Sequence, residues 1–181
     1  MRHYITIIAI ALAGSFLAGA MLVTPGPARA GDYDIWGTQK TDALGALAAG
    51  ARYREFTPSA EPSYQNIIMN YILMINKDLS ESIAVVRVAT RPEKDLLFIN
   101  GKLYSVTENF GAIARDALDA QLRRLSSDYG SPVVQADPAL TTYTFTTSAT
   151  KVIVYAYPRP QAVDCRVYFY SASLFKMLMS E

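Results

Sequence analysis

Apolar and polar positions alternate along much of the second half of the chain. "IAVVRVAT" (83–90), "LLFINGKLYSV" (96–106), "TTYTFTT" (141–147), "KVIVYAY" (151–157) and "CRVYFYS" (165–171) are rich in β-branched and aromatic residues. Period-two patterning of that kind marks strands with one buried face. Asn100-Gly101 sits between two such runs, and Asn-Gly tolerates the two positive φ angles of a type I′ hairpin turn. A turn there sets Phe98 opposite Leu103 and Leu97 opposite Tyr104.

The pattern changes from Gly111 to Tyr129, where Leu118, Leu122, Leu125 and Tyr129 form a stripe at helical spacing. Gly130 supplies a positive-φ stop, and Pro132 keeps the helix from resuming. "IIMNYILMI" (67–75) fits a helical face nearly as well as a buried strand. The polar turn "NKDLSES" after it favours a strand. "TQKTDALGALAAGA" (38–51) and "SASLFKMLMSE" (171–181) read as short helices, and "REFTPSAEPS" (54–63) as a loop broken by Pro58 and Pro62. The sum is α+β: an antiparallel sheet of six or seven strands packed by one long central helix, with short helices near both ends.

Composition divides the chain once. Ile5 to Val23 is a continuous apolar run, followed by "TPGPARA". That order reads as a secretory signal cleaved after Ala30, with residues 31–181 as a single domain exported to the periplasm or beyond. The run also approaches the length of a bilayer span, so an uncleaved inner-membrane anchor is the alternative. Cleavage removes two arginines and no acid, leaving 15 basic against 16 acidic side chains. Such a balance offers no basic face for nucleic acid and no polybasic membrane patch. Membrane contact is then expected only through the N-terminal segment.

Two further features narrow the chemistry. The one histidine, His3, lies in the apolar leader, so Ser/His and Cys/His nucleophile pairs are excluded from the domain. Cys165 is the one cysteine, which rules out an intramolecular disulfide, and its place on an apolar strand makes it a small core residue.

"LLFINGKLYSV", the helix ending "DYGSP", and the closing "VYFYSASL" resemble a set of bacterial exported envelope domains. These share an F-x-N-G-K-L-Y hairpin, a helix ending Y-G-x-P and a strand ending Y-S-x-x-L. "DIWGTQKTDAL" and "YILMINKDL" are similar to segments upstream in such domains. The resemblance covers most of Asp34 to Leu178 and implies an α+β fold with no catalytic residue or ligand to carry over.

Motifs of catalysis are sparse. Ser148–Lys151 and Ser173–Lys176 match S-x-x-K, but the companion motifs of penicillin-recognising enzymes are absent. Three carboxylate pairs, Asp32/Asp34, Glu93/Asp95 and Asp116/Asp119, have the residue types of a hydrolase without spacing that shows a shared cleft. "GALAAGA" lacks the preceding strand and the lysine of a phosphate loop. No cofactor or metal is expected.

The remaining candidate is aromatic. Strand alternation puts Tyr155 and Tyr157 on one face, and Tyr168 and Tyr170 on one face of the next strand, with Val152, Val154, Val167 and Phe169 turned away. Paired in register, the four tyrosines form a patch bordered by Arg159 and Arg166, suited either to recognition or to packing beneath a helix. The expectation is a non-catalytic binding module whose partner is an envelope protein or a small ligand. A carboxylate-dependent hydrolase and an anchored assembly component are the alternatives. Asn100, Gly101 and Gly130 are turn residues in every reading.

Overall fold

The fold was described from a computed structural model, which describes residues 35–47, 51–173 and 176. The leader, Asp32/Asp34, and Leu174, Phe175 and Leu178 of the C-terminal segment lie outside the described residues.

Among the described residues, eight strands form one antiparallel sheet: β1 (Tyr53–Phe56), β2 (Ile83–Val88), β3 (Glu93–Ile99), β4 (Lys102–Ile113), β5 (Val133–Ala136), β6 (Thr141–Thr146), β7 (Thr150–Pro158) and β8 (Val163–Ser171). Their spatial order is β1-β2-β3-β4-β8-β7-β6-β5. The sheet is thus two four-stranded meanders joined at one seam, β4 against β8. Among the described residues, α1 (Lys40–Gly45), α2 (Ile67–Ile75) and α3 (Arg115–Tyr129) are the α-helices that accompany it, with a helical stretch beginning after β8. The chain leaves β4, runs through α3 to the far edge, and returns strand by strand to the seam.

The α+β class and the antiparallel sheet agree with the sequence pattern; the strand count and helix arrangement do not. Ile67–Ile75 is a helix rather than a strand. Asn66 caps it, its Oδ1 accepting from the N–H groups of Ile68 (3.0 Å) and Met69 (3.1 Å). Ile68, Met69 and Ile72 are buried beneath it, a helical spacing. Two strands go beyond the sequence pattern: β1, most of which falls in the segment expected to be a loop, and β5, to which the pattern assigns no element, each four residues long and at an edge of the sheet. An edge strand needs neither continuous hydrophobicity nor two buried faces. All four β5 residues are exposed, so burial leaves no alternation to read. Gly111 to Ile113 belong to β4 rather than to the helix, and a register shift lies between Asn109 and Gly111.

The two faces carry separate cores. Beneath α3, Leu118 and Leu125 pack on Phe145, Val152, Val154, Cys165 and Val167, with Leu122 and Tyr129 at the margin. Beneath α1 on the same face, Ala43 meets Val86, Leu96, Phe98 and Leu103. On the opposite face, α2 covers Val85, Leu97, Ile99, Tyr104, Tyr168 and Tyr170. Instead of one central helix, helices lie on both faces. Cys165 is wholly buried, and burial, followed by the charge of Asp164, pushes its thiol up to about 12.

The hairpin turn has the expected residues, with φ of 50° at Asn100 and 74° at Gly101. Phe98 pairs with Leu103, but Leu97 pairs with Ser105 rather than Tyr104. Tyr104 is the extra residue of a bulge, which lets its ring join Leu97 and Ile99 in the α2 core. Gly130 ends α3 with φ 84° and ψ −167°, outside the left-handed helical basin and in a region essentially reserved for glycine.

Candidate functional site

On the α2 face the apolar core stops short of one end of the seam. Register there collects polar residues into two rows. Arg87 on β2 pairs with Asp95 on β3, Asp95 with Thr107 on β4, and Thr107 with Tyr168 on β8. One step along, Glu93 pairs with Asn109 and Asn109 with Arg166. The segment before α2 passes above them, bringing Glu61, Ser63, Tyr64, Gln65 and Asn66. Together these residues line a cavity of about 360 Å³.

The cavity floor is held by one network. Arg87 donates to both oxygens of Asp95, Nε to Oδ1 at 2.9 Å and Nη2 to Oδ2 at 3.1 Å. Bidentate geometry of this kind fixes both partners. Glu93 lies 3.4 Å from the same guanidinium. The Arg87 guanidinium also sits 5.6 Å from the Phe56 ring centre and 5.5 Å from that of Tyr64, on aromatic faces that favour a cation. Hydrogen bonding to Asp95 raises the Arg87 pKa against the opposing effect of burial.

Asn66 joins this network to the helix. Its Oδ1 caps α2, while Nδ2 donates to Thr107 Oγ1 (2.9 Å) and to the Tyr64 hydroxyl (3.1 Å). One buried side chain thereby sets the start of α2 and ties it to the middle of β4. Burial, then the negative charge of Asp95, raises the Tyr64 pKa, so its hydroxyl remains a donor at neutral pH. Asn109 Oδ1 accepts from Gly111 N–H at 3.2 Å, which orients its amide across the register shift.

The structure separates the six residues expected to bind. Tyr155, Tyr157, Tyr168 and Tyr170 do share one face, and Val152, Val154 and Val167 lie in the opposite core with Phe169 packed against it. The tyrosines do not form one open patch. Tyr168 and Tyr170 are each 4 % exposed and Tyr157 is 38 % exposed, with Tyr155 between these extremes. Tyr155 bridges the set, its ring 5.6 Å from Tyr168 and 6.3 Å from Tyr157. Only Tyr168 and Arg166 reach the cavity wall. Arg159 instead pairs with Asp164 at 3.2 Å.

Arg87, Thr107 and Asn109 carry no signal in their own stretch of sequence because each sits on a strand whose alternation looks ordinary. Their signal is a polar residue at the helix-facing position of neighbouring strands, which becomes visible only in register. Of the expected acid pairs among the described residues, Glu93/Asp95 lines the cavity. Asp116 and Asp119 are exposed on α3. Among the described residues, no group of three or more His, Cys, Asp or Glu side chains is arranged to hold a metal, and no helix is long and apolar enough to cross a membrane.

Among the described residues that line it, the cavity offers hydrogen-bond donors and acceptors and holds no His or Cys. Cys165 faces the other side of the sheet, in the α3 core. No protein-family model, curated protein or solved structure matches the chain.

Proposed function

We propose that this chain is a non-catalytic binding module of the bacterial envelope, exported by its N-terminal segment, that holds a small polar ligand in the seam cavity. One observation carries the reading. The sheet is apolar along most of the α2 face, yet at the seam it gathers polar side chains from four strands and an oriented network around a space of about 360 Å³. A structural core gains nothing from such a space, whereas a small-molecule site needs a concave space with a few fixed polar groups. Export rests on the order of the apolar run, the prolines and Ala28-Arg29-Ala30. The hairpin, helix-end and strand-end motifs support membership in the envelope family they resemble.

Ligand-observed NMR with a panel of small polar metabolites tests the site. The expected result is a compound whose signals broaden with wild-type protein and not with Asn109→Leu, a variant that fills the cavity without touching the α2 cap. Binding that survives Asn109→Leu places the site elsewhere. Intact-mass measurement of protein recovered from the envelope tests export: a chain beginning at Gly31 supports it, and a chain retaining residues 1–30 supports the anchored alternative.

One observation favours a second reading, a carboxylate-dependent hydrolase. Glu61, Glu93 and Asp95 line the same cavity. All three are engaged, Asp95 and Glu93 by Arg87 and Glu61 by Arg54 at 2.9 Å, which suits a scaffold better than a proton shuttle. Ester or glycoside hydrolysis abolished by Glu93→Gln establishes the enzyme reading in its place.

A further inference from the structure

Two arginines in or beside the cavity wall are in contact with carboxylates. Arg54 is matched by Glu61, and Arg87 by Asp95 and Glu93. Arg166 has no such match among the described residues: its Nε is buried and has no hydrogen-bond acceptor there. A buried donor left unmade is costly, and the cost is greater on a charged group. The side chain is supplied by β8, flanked in register by Asn109 on β4 and Tyr155 on β7. Its contact with the Tyr168 hydroxyl is with a neutral group and leaves the charge unmatched.

Glu93 stands at the other end of the same row, with Asn109 between. Two strand spacings put the Glu93 and Arg166 backbones roughly 10 Å apart. The cavity therefore runs from a cationic donor, past an amide, to a carboxylate acceptor, over the length of a three- to six-carbon molecule.

Building on the reading of this cavity as a ligand site, we infer that its ligand is a small hydroxylated carboxylic acid. The carboxylate faces the Arg166 guanidinium from the cavity, on the side away from its enclosed Nε, and the hydroxyls reach Asn109 and Glu93. A guanidinium with no carboxylate partner in the protein favours an anion, and its planar donors match a carboxylate. A neutral polyol leaves Arg166 unmatched, and a dianion places charge against Glu93.

The test uses matched pairs, D-glucuronate with D-glucose and D-glycerate with glycerol, titrated into 15N-labelled protein at constant ionic strength. The arginine Nε–H and side-chain amide resonances are followed. The expected result is saturable movement of the Arg166 Nε–H and Asn109 signals with at least one acid, about tenfold tighter than with its neutral partner. Arg166→Gln removes that preference and Arg166→Lys keeps part of it. The wild-type Arg166 resonance reads binding even if a variant fails to fold. Equal or tighter binding of the neutral partner at Asn109 overturns the acid inference and leaves the ligand site standing. No movement of any cavity resonance with the four compounds overturns the acid inference, while the broader metabolite panel continues to test the site.

Discussion

Lys94 and Glu108 face one another across β3 and β4, Nζ to Oε1 at 2.9 Å, with Lys94 2 % exposed. They lie on the α1/α3 side of the sheet, and Arg124 of α3 approaches Glu108 at 3.6 Å. Removing one member leaves a buried charge. Lys94→Met and Glu108→Leu should each lower stability by about 3–5 kcal/mol, and the double variant should recover most of the loss. Urea denaturation of the three variants decides this. Additive losses in the double variant count against coupling.

Asn66→Ala should destabilise by more than a cap alone. It removes two bonds to the helix start and two to Tyr64 and Thr107, and the loss should exceed the roughly 1 kcal/mol typical of a cap. Asn66→Asp keeps the acceptor and loses the donor, and should fall between. Thermal melts give the order; equal melting temperatures for all three proteins contradict it.

Buried tyrosines set an alkaline limit. Burial pushes Tyr170 up to about 12 and raises Tyr64, Tyr155 and Tyr168 as well. In the unfolded chain these hydroxyls ionise near 10. Above that pH the unfolded state loses protons that the folded state keeps, so stability is full below about pH 10 and declines toward pH 12. Denaturant midpoints from pH 8 to 12, with tyrosinate absorbance at each, check the sign. A rising midpoint would falsify it.

Tyr157 and Tyr168 share a face but not a role. Tyr157→Ala should change stability by less than about 1 kcal/mol, because the ring is well exposed. Tyr168→Ala opens a cavity under α2 and should cost about 3 kcal/mol or more. Similar losses from both variants mean that the open part of the face is covered in solution.

Cys165 should resist thiol reagents at pH 8 in the native protein and react at once in denaturant, because it is wholly buried with a raised pKa. A disulfide-exchange reagent followed by absorbance tests this. Stoichiometric reaction of folded protein contradicts the packing of β8 against α3.

What the chain alone determined is local or periodic. Asn100-Gly101 makes its turn because two adjacent residues tolerate positive φ. The Leu118, Leu122, Leu125 and Tyr129 stripe makes its helix because four apolar side chains need one face buried. The valine–tyrosine alternation of β7 and β8 sorts the side chains to opposite faces without knowledge of either neighbour. Tertiary structure decided whatever depends on a partner distant in sequence. Ile67–Ile75 became a helix once Asn66 capped it and Thr107 held Asn66, a contact across 41 residues. β1 and β5 became strands only because an exposed neighbour edge was there to pair with. The cavity is the extreme case: Arg87, Thr107 and Asn109 are unremarkable in their own strands, Asp95 and Arg166 are legible only as members of other groupings, and all converge because two meanders close at β4 and β8. Register is a property of the pairing, and no single strand carries it.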